Sequence, residues 1–220
     1  MNAIFGVACG ERVNVSFDSL WSTAADVYTQ EPRGFSPGSD MSLGCIADSG
    51  AVAGIAEKNG VSIAVLSAFE KPFPGWTDGS PLDEPDKTAL HLISLYEERG
   101  TKFLDEVHGQ FAVAIFDNNR RRVLLAADRL EMRTLYYSII DGALVFSSNQ
   151  YLLARSLREH LGYDRSHEDF FLVYGILPPQ HTFFKGVHSV KPASVLEWSV
   201  DDELKLHEIA DTDPWENTLA

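Results

Sequence analysis

The chain has 220 residues, of which 45 % are hydrophobic and 11 % aromatic, and this composition excludes a disordered protein. Its formal net charge is −14, and no run of Lys and Arg offsets it, which argues against nucleic acid as a partner. Two cysteines are too few for a disulfide framework, and no apolar stretch has the length of a membrane-spanning helix. The sequence therefore predicts one large cytoplasmic domain without a membrane partner.

The first half of the chain is predicted to consist of short strands, one helix and two loops. Strands are predicted at residues 3–8, 13–17, 51–56 and 61–67. Loops rich in Pro, Gly and Ser are predicted at residues 31–44 and 70–85. Asp18 is the expected N-cap of a helix that reaches Tyr28. Asn59-Gly60 is typical of a type I′ turn, which predicts a hairpin.

The second half begins with an amphipathic helix. Ala89, Leu92, Ile93 and Tyr96 recur at helical spacing, and Gly100 is placed to end that helix. Further helices are predicted at residues 103–107, 151–159 and 168–174. Strands are predicted at residues 111–116, 123–127, 143–146, 194–200 and 203–207.

Three of these predicted strands, at 111–116, 123–127 and 143–146, are apolar at every position. A strand with one wet face would alternate, so these strands must be covered on both faces. Turns of only a few residues separate strands in this region, and such short connections favour antiparallel neighbours. The predicted fold is therefore α+β, a four-layer αββα sandwich in which two antiparallel sheets pack together and helices lie outside.

Several segments in a fixed order resemble one protein family. Residues 1–7 read Met-Asn-Ala-Ile-Phe-Gly-Val, close to the family opening Met-Cys-Gly-Ile-Phe-Gly. Residues 109–117 are similar to Gly-Met-Phe-Ala-Phe-Ala-Leu-Tyr-Asp, and residues 127–137 to Arg-Asp-Arg-Leu-Gly-Ile-Lys-Pro-Leu-Tyr-Tyr. Other similar segments are 95–100, 103–104, 145–148, 174–178, 182–187 and 190–193. Together they resemble the N-terminal glutaminase domain of the asparagine synthetase family, a class II glutamine amidotransferase with the N-terminal-nucleophile (Ntn) hydrolase fold.

The resemblance implies domain boundaries and a partner. Residues 1–208 correspond to the glutaminase-like domain, and residues 209–220 to a tail or the start of a linker to a synthetase domain absent from this chain. In the family, the domain hydrolyses glutamine and passes ammonia to an ATP-using synthetase part. The implied partner is an ATP-using synthetase-like domain or chain. The sequence indicates no cofactor, no metal site and no oligomeric state.

Asn2 occupies the position of the family's catalytic cysteine. In the family, that thiol attacks the amide, and the α-amine freed by removal of the initiator methionine acts as the base. A carboxamide cannot replace a thiol nucleophile, and Asn2 is large enough that we expect Met1 to be retained. Cys9 and Cys45 are expected to be small buried residues, and Cys9 has no neighbouring His or Lys to lower its pKa. No catalytic residue is therefore predicted.

Three further positions depart from the family pattern. Its oxyanion pair, Asn-Gly, follows a central strand, where this chain has Ser67 and Ala68. Its Asp that holds the substrate's α-amine aligns with Thr88, whereas Asp86 is the expected helix N-cap. The arginine of the family's Arg-Gly-Pro segment has no clear match, because the residues around the nearby Arg33-Gly34 do not align with it. The sequence therefore predicts a vestigial pocket at Asn2, Ser67, Ala68 and Thr88.

Three functional hypotheses follow. The first is a non-catalytic, structural or regulatory partner of an asparagine synthetase-related amide ligase. Relatives that use other amines, such as β-lactam synthetases and lasso-peptide cyclases, carry degenerate domains of this kind. The second is a stand-alone module that binds an amino acid or peptide in the vestigial pocket. The third is an active glutamine amidotransferase with a displaced nucleophile, Cys9 or Cys45.

Overall fold

The protein consists of two six-stranded sheets that pack face to face. The computed structural model describes residues 2–9, 16–35, 41–47, 53–69, 84–199 and 202–208. Within these residues every strand pair is antiparallel. One apolar cluster fills the space between the sheets. Each sheet has one further cluster, between its outer face and the helices that cover it. The predicted α+β class and the αββα layer order are confirmed.

The first sheet carries the start of the chain at its centre. Its strands are β1 (Asn2–Ala8), β2 (Arg33–Phe35), β3 (Met41–Ala47), β8 (Tyr136–Ile140), β9 (Ala143–Ser147) and β10 (His188–Ser189). Their order is β10-β8-β9-β1-β3-β2. The helices α1 (Phe17–Val27) and α3 (Gln150–Ser156) cover its outer face, where Phe5, Leu20 and Leu153 share one buried cluster.

The second sheet carries the apolar strands of the central region. Its strands are β4 (Ala53–Lys58), β5 (Val61–Phe69), β6 (Gly109–Asp117), β7 (Arg122–Ala127), β11 (Ser194–Ser199) and β12 (Asp202–Glu208). Their order is β12-β11-β7-β6-β5-β4. Helix α2 (Pro85–Arg99) and the 3₁₀ helix Gly100–Glu106 cover its outer face. A fourth helix, α4 (Glu168–Tyr174), lies between the strands β9 and β10 along the chain.

The alternation of side chains along β5 explains why these strands are apolar throughout. Ile63 and Val65 belong to the cluster against α2, whereas Ala64 and Leu66 belong to the cluster between the sheets. Successive side chains of a strand point to opposite faces, so both faces are covered. The inference of double coverage from the sequence is therefore confirmed.

Several predicted boundaries are confirmed by backbone geometry. Helix α2 ends at Gly100, which has a φ of 62°. Asn59 and Gly60 have φ values of 53° and 76°, as a type I′ turn requires. The predicted domain end at residue 208 coincides with the end of β12, but residues 209–220 lie outside the described residues, so that boundary stays a prediction.

Three predictions in the first quarter of the chain are wrong. The predicted loop 31–44 contains β2 and the start of β3, where Gly44 leaves room for the Phe5 ring: a Cβ there would lie 2.6 Å from Phe5 Cε2. The N-cap of α1 is Ser16, whose Oγ accepts from Asp18 N, so Asp18 lies inside the helix. Phe17, predicted as the end of a strand, begins that helix, and residues 13–15 lie outside the described residues.

Candidate active site

Asn2 lies at the beginning of β1. The register pairs Asn2 with Ala47, the last residue of β3. Two residues further, Ile4 N donates a hydrogen bond to Ser148 Oγ at 3.0 Å, and Ser148 N donates to Ile4 O at 2.9 Å. These bonds hold the start of β1 in the centre of the first sheet, so the backbone of Asn2 lies at the end of the sandwich where β3 ends.

Ser67 and Thr88 both lie in the layer of α2. Ser67 shares the strand face of Val65, which packs against α2, and Thr88 lies in the first turn of that helix. Each residue is only 1 % exposed, and neither hydroxyl has a hydrogen-bond partner within the described residues. Ala68 follows in β5 and pairs with Gln110. That these residues and Asn2 line one pocket stays a prediction.

Five elements converge at this end of the sandwich. The start of β1 lies beside the end of β3, and Ala53 at the start of β4 pairs with Leu66 near the end of β5. Ile55 N in β4 donates to Asp86 Oδ1 at 3.0 Å, which brings the first turn of α2 to the same end. The register and this bond therefore create a corner formed by both sheets and α2, which we call the α2 corner.

An ion pair that the sequence analysis missed crosses the α2 corner. Arg33 Nη1 in β2 donates to Asp86 Oδ2 at 2.8 Å, and Arg33 Nη2 donates to Ala53 O at 3.2 Å. The predicted N-cap role of Asp86 is wrong. The cap position is Glu84, which makes no side-chain capping bond, and Pro85 occupies the first helical position. Asp86 instead accepts from the unpaired edge of β4, the outermost described strand of the second sheet, because Ile55 N needs an acceptor there.

Cys45 lies on the inner side of the same corner. It pairs with Ile4 of β1, is fully buried, and its Sγ lies 3.8 Å from Arg33 Nη2. Burial raises the pKa of the Cys45 thiol to about 11, although the Arg33 charge opposes that rise. The thiol is therefore protonated at neutral pH. Cys9 lies just beyond the other end of β1 and is only half-buried, so the expectation of a buried residue holds for Cys45 and is wrong for Cys9.

The two cysteines should differ in reactivity in the folded protein. At pH 8 a thiol with a pKa near 11 is about 0.1 % thiolate, and alkylation requires the thiolate. We expect iodoacetamide at pH 8 to label Cys9 and to leave Cys45 unmodified, with labelling of Cys45 rising as the pH approaches 11. Peptide mass spectrometry measures both sites, and labelling in urea is the control. Equal native rates at pH 8 would contradict the burial of Cys45.

The described residues contain a cavity of about 400 Å³, but it lies elsewhere, between α1 and the end of α3. Its lining includes Ser16, Thr23, Arg155 and His160, and none of the predicted pocket residues. Arg155 is already paired with Asp26 at 3.1 Å. No group of three or more His, Cys, Asp or Glu that could hold a metal ion occurs in the described part of the chain. The described helices include none that is long and apolar enough to cross a membrane.

Comparison with solved structures supports the fold. The structure titled as the allosteric regulatory enzyme of purine biosynthesis is similar over 96 % of this chain and 49 % of its own, with a TM-score of 0.57 and 13 % identity. At that identity the likeness concerns the fold alone. It agrees with the predicted Ntn-hydrolase-like architecture.

Comparison with curated sequences identifies relatives that are much longer. Amidase chyE of Penicillium rubens is 29 % identical over 119 residues, which are 48 % of this chain and 15 % of that protein. Asparagine synthetase [glutamine-hydrolyzing] 2 of Bacillus subtilis is 39 % identical over 57 residues, 26 % of this chain and 8 % of that protein. The chain thus corresponds to a small part of each relative.

The family comparison covers the region from α2 to β12. The model of the glutamine amidotransferase domain matches residues 88–208, more than half of the chain. The matched region begins at Thr88 and includes the apolar strands β6 and β7, which form the centre of the second sheet. With the αββα fold and the asparagine synthetase relatives, this match is sufficient to assign the chain. The protein belongs to the glutamine amidotransferase domain family.

Proposed function

We infer that this glutamine amidotransferase-like domain does not hydrolyse glutamine and acts as a structural or regulatory partner of an ATP-using, synthetase-like domain or chain. The observation that carries the proposal is Asn2 at the start of β1, where a thiol nucleophile would be needed. The relatedness to asparagine synthetases supports the type of partner. The partner's amide-forming chemistry would require ATP, but this domain would hold no cofactor itself.

Neither cysteine is placed to restore the lost chemistry. Cys9 is separated from Asn2 by the whole of β1, which at about 3.3 Å per residue corresponds to roughly 23 Å. Cys45 is near the start of β1, but it is fully buried and its thiol is protonated at neutral pH. A nucleophile needs access to substrate and a base to remove its proton. The displaced-nucleophile hypothesis therefore has no supporting geometry at either thiol.

The oxyanion and amine positions support the same proposal. Ser67 faces α2 and offers a hydroxyl in place of the family's carboxamide donor, and loss of one such donor lowers the rate by about 10²–10³-fold. Thr88 offers a neutral hydroxyl where a carboxylate would pair with an ammonium group. A substrate would find neither the charge nor the donor that glutamine hydrolysis uses.

We expect the purified chain to release no glutamate from glutamine above the rate without protein. A coupled glutamate dehydrogenase assay measures the release, and an active glutaminase assayed in parallel is the positive control. Glutamate release that disappears when Cys9 or Cys45 is replaced by serine would contradict the proposal and establish a displaced nucleophile. Release that survives both replacements would place the nucleophile elsewhere and would equally contradict it.

The partner half of the proposal has its own test. The chain and the synthetase-like protein encoded nearest to it are produced together, with a tag on the synthetase-like protein only. We expect the two to co-purify, and we expect the thermal midpoint of the complex to exceed that of either chain, because binding stabilises folded states. Separate elution of the two proteins, with unchanged midpoints on mixing, would contradict a partner role.

A further inference from the structure

Helix α4 and the residues after it form the most exposed apolar part of the described chain. None of the residues of α4 is buried. Leu172 is 80 % exposed, and Ile176, beyond the end of the helix, is 64 % exposed. The side chains concerned, which we call the α4 surface, are Phe170, Leu172, Val173, Tyr174 and Ile176.

Helix α4 has few contacts that stabilise it, chiefly a Phe170–Tyr174 ring pair at 4.5 Å and the Gly175 C-cap. It has seven residues, whereas isolated helices need about 12–15 to be even marginally stable in water. Its N-cap residue, His167, makes no side-chain capping bond. The Phe171 ring meets Phe183 edge-on at 5.0 Å, and this contact attaches the helix to the segment before β10. After its acidic first turn, the helix is apolar at every position from Phe170 to Tyr174. Such a run covers all sides of a helix and is typical of a buried element, so this part of α4 has the composition of an interface.

The α4 surface is large enough to form most of an interface. Its side chains expose roughly 600 Å² of mainly apolar area, if each fully exposed side chain offers about 200 Å². A stable interface of standard size buries about 800 Å² per partner, and exposed patches of several hundred Å² mark interaction sites. The area thus matches a protein partner better than a small ligand.

The charges beside this surface are mainly acidic. Glu168 and Asp169 occupy the first turn of α4, and Arg165 is paired with Glu168 at 3.7 Å. A partner would therefore present an apolar centre with Lys or Arg at its rim, because complementary charges favour association. A second copy of this chain lacks that complement, since each copy carries a net charge of −14.

We propose that the α4 surface is the docking site for the synthetase-like partner, an inference that rests on the proposed function. The family match from residue 88 to 208 includes all of α4, so the helix is part of the matched domain and not an addition to it. The matched parts of the relatives are only 15 % and 8 % of their lengths, so most of each relative lies outside the matched region. The α4 surface offers an apolar area with an acidic rim on which a domain or chain equivalent to that remaining part could dock.

The test compares two leucines of equal exposure. Leu172 in α4 is 80 % exposed and Leu130, in the turn after β7, is 81 % exposed. Leu172→Lys and Leu130→Lys therefore make the same chemical change at the same degree of exposure, and neither should alter the thermal midpoint. Isothermal titration measures binding of each variant to the separately produced synthetase-like chain. We expect Leu172→Lys to weaken binding at least about tenfold and Leu130→Lys to change it less than about twofold.

The outcomes separate the docking site from the proposed function. Equal binding by wild type and Leu172→Lys, repeated with Val173→Lys, would overturn the docking site and leave the partner role intact. No binding by the wild type would overturn the partner role and this inference with it. Light scattering of the chain alone is the last measurement, and a dimer that Leu172→Lys dissociates would assign the surface to a second copy instead.

Discussion

Replacement of Asp128 by alanine should destabilise the protein by about 3 to 5 kcal/mol. Asp128 follows β7 and is 2 % exposed. Its Oδ1 accepts from Leu130 N at 2.9 Å and Met132 N at 3.1 Å. Its Oδ2 accepts from Arg133 N at 2.9 Å and Phe111 N at 3.3 Å. Alanine would leave four backbone donors without an acceptor. The bond from Phe111 N is buried and the other three are partly buried, so the loss is smaller than four times the cost of a fully buried unsatisfied donor, which is about 1–3 kcal/mol.

Two variants control this prediction. Asp128→Asn keeps one side-chain oxygen and replaces the other with a donor that faces backbone N–H groups, so we expect an intermediate loss. Asp26→Ala removes a carboxylate that is 65 % exposed and paired with Arg155 across the surface, so we expect a loss of stability below about 1 kcal/mol. Urea unfolding followed by tryptophan fluorescence measures all three. An Asp128→Ala midpoint equal to that of Asp26→Ala would contradict the anchoring role of the carboxylate.

Replacement of Gly54 by alanine should also lower the free energy of unfolding, by about 3 kcal/mol. Gly54 lies in β4, directly under the first turn of α2. A Cβ at Gly54 would overlap the carbonyl group of Pro85 and would lie 3.0 Å from Pro85 Cβ. The neighbouring atoms are backbone, so they cannot move aside without shifting the helix. The shift would also strain the bond from Ile55 N to Asp86.

Gly162→Ala is the matched control for this substitution. A Cβ at Gly162 would meet only the flexible side chain of Lys185, at 3.4 Å and beyond. We expect a change within about 0.5 kcal/mol, as for most surface substitutions. Differential scanning calorimetry measures both variants. If Gly54→Ala unfolds at the temperature of the wild type, the close approach of β4 to α2 is not required for stability.

The parts of the fold that could be predicted are those with a strong local pattern. The apolar period of α2, the Asn59-Gly60 turn and the strands that are apolar on both faces each depend on neighbouring residues alone. Strands β2 and β3 could not be found in this way, because Gly44 interrupts the apolar pattern. The reason for that glycine is the Phe5 ring, which lies in another strand. Strand β3 is identified by the pairing of residues 41–47 with β1, and this pairing joins segments that are distant along the chain.

The same distinction between local and long-range features applies to the candidate site. Asn2 is read directly from the sequence, because the Ile4-Phe5-Gly6 that follows it resembles the family opening. The pair of Arg33 with Asp86 joins residues 53 positions apart, from a strand of one sheet and a helix on the other, so no local pattern indicates it. Its only hint was the unplaced Arg33-Gly34 dipeptide. The sequence predicts helix α4, but it does not predict the exposure of the α4 surface. That exposure depends on whether segments distant along the chain pack against the helix.

The ion pair at the α2 corner has a consequence for free amino acids. An amino acid is a zwitterion, and a guanidinium and a carboxylate are the groups that would recognise its two ends. Arg33 and Asp86 are held 2.8 Å apart and already neutralise each other, with about half of each side chain in solvent. An amino acid could bind here only by breaking the Arg33–Asp86 ion pair. It would then form two new ion pairs, one with each side chain, and both would be of similar strength and screened by water. The Arg33–Asp86 ion pair therefore predicts a low affinity of the α2 corner for free amino acids. This argues against the hypothesis of a stand-alone amino-acid-binding module at this corner.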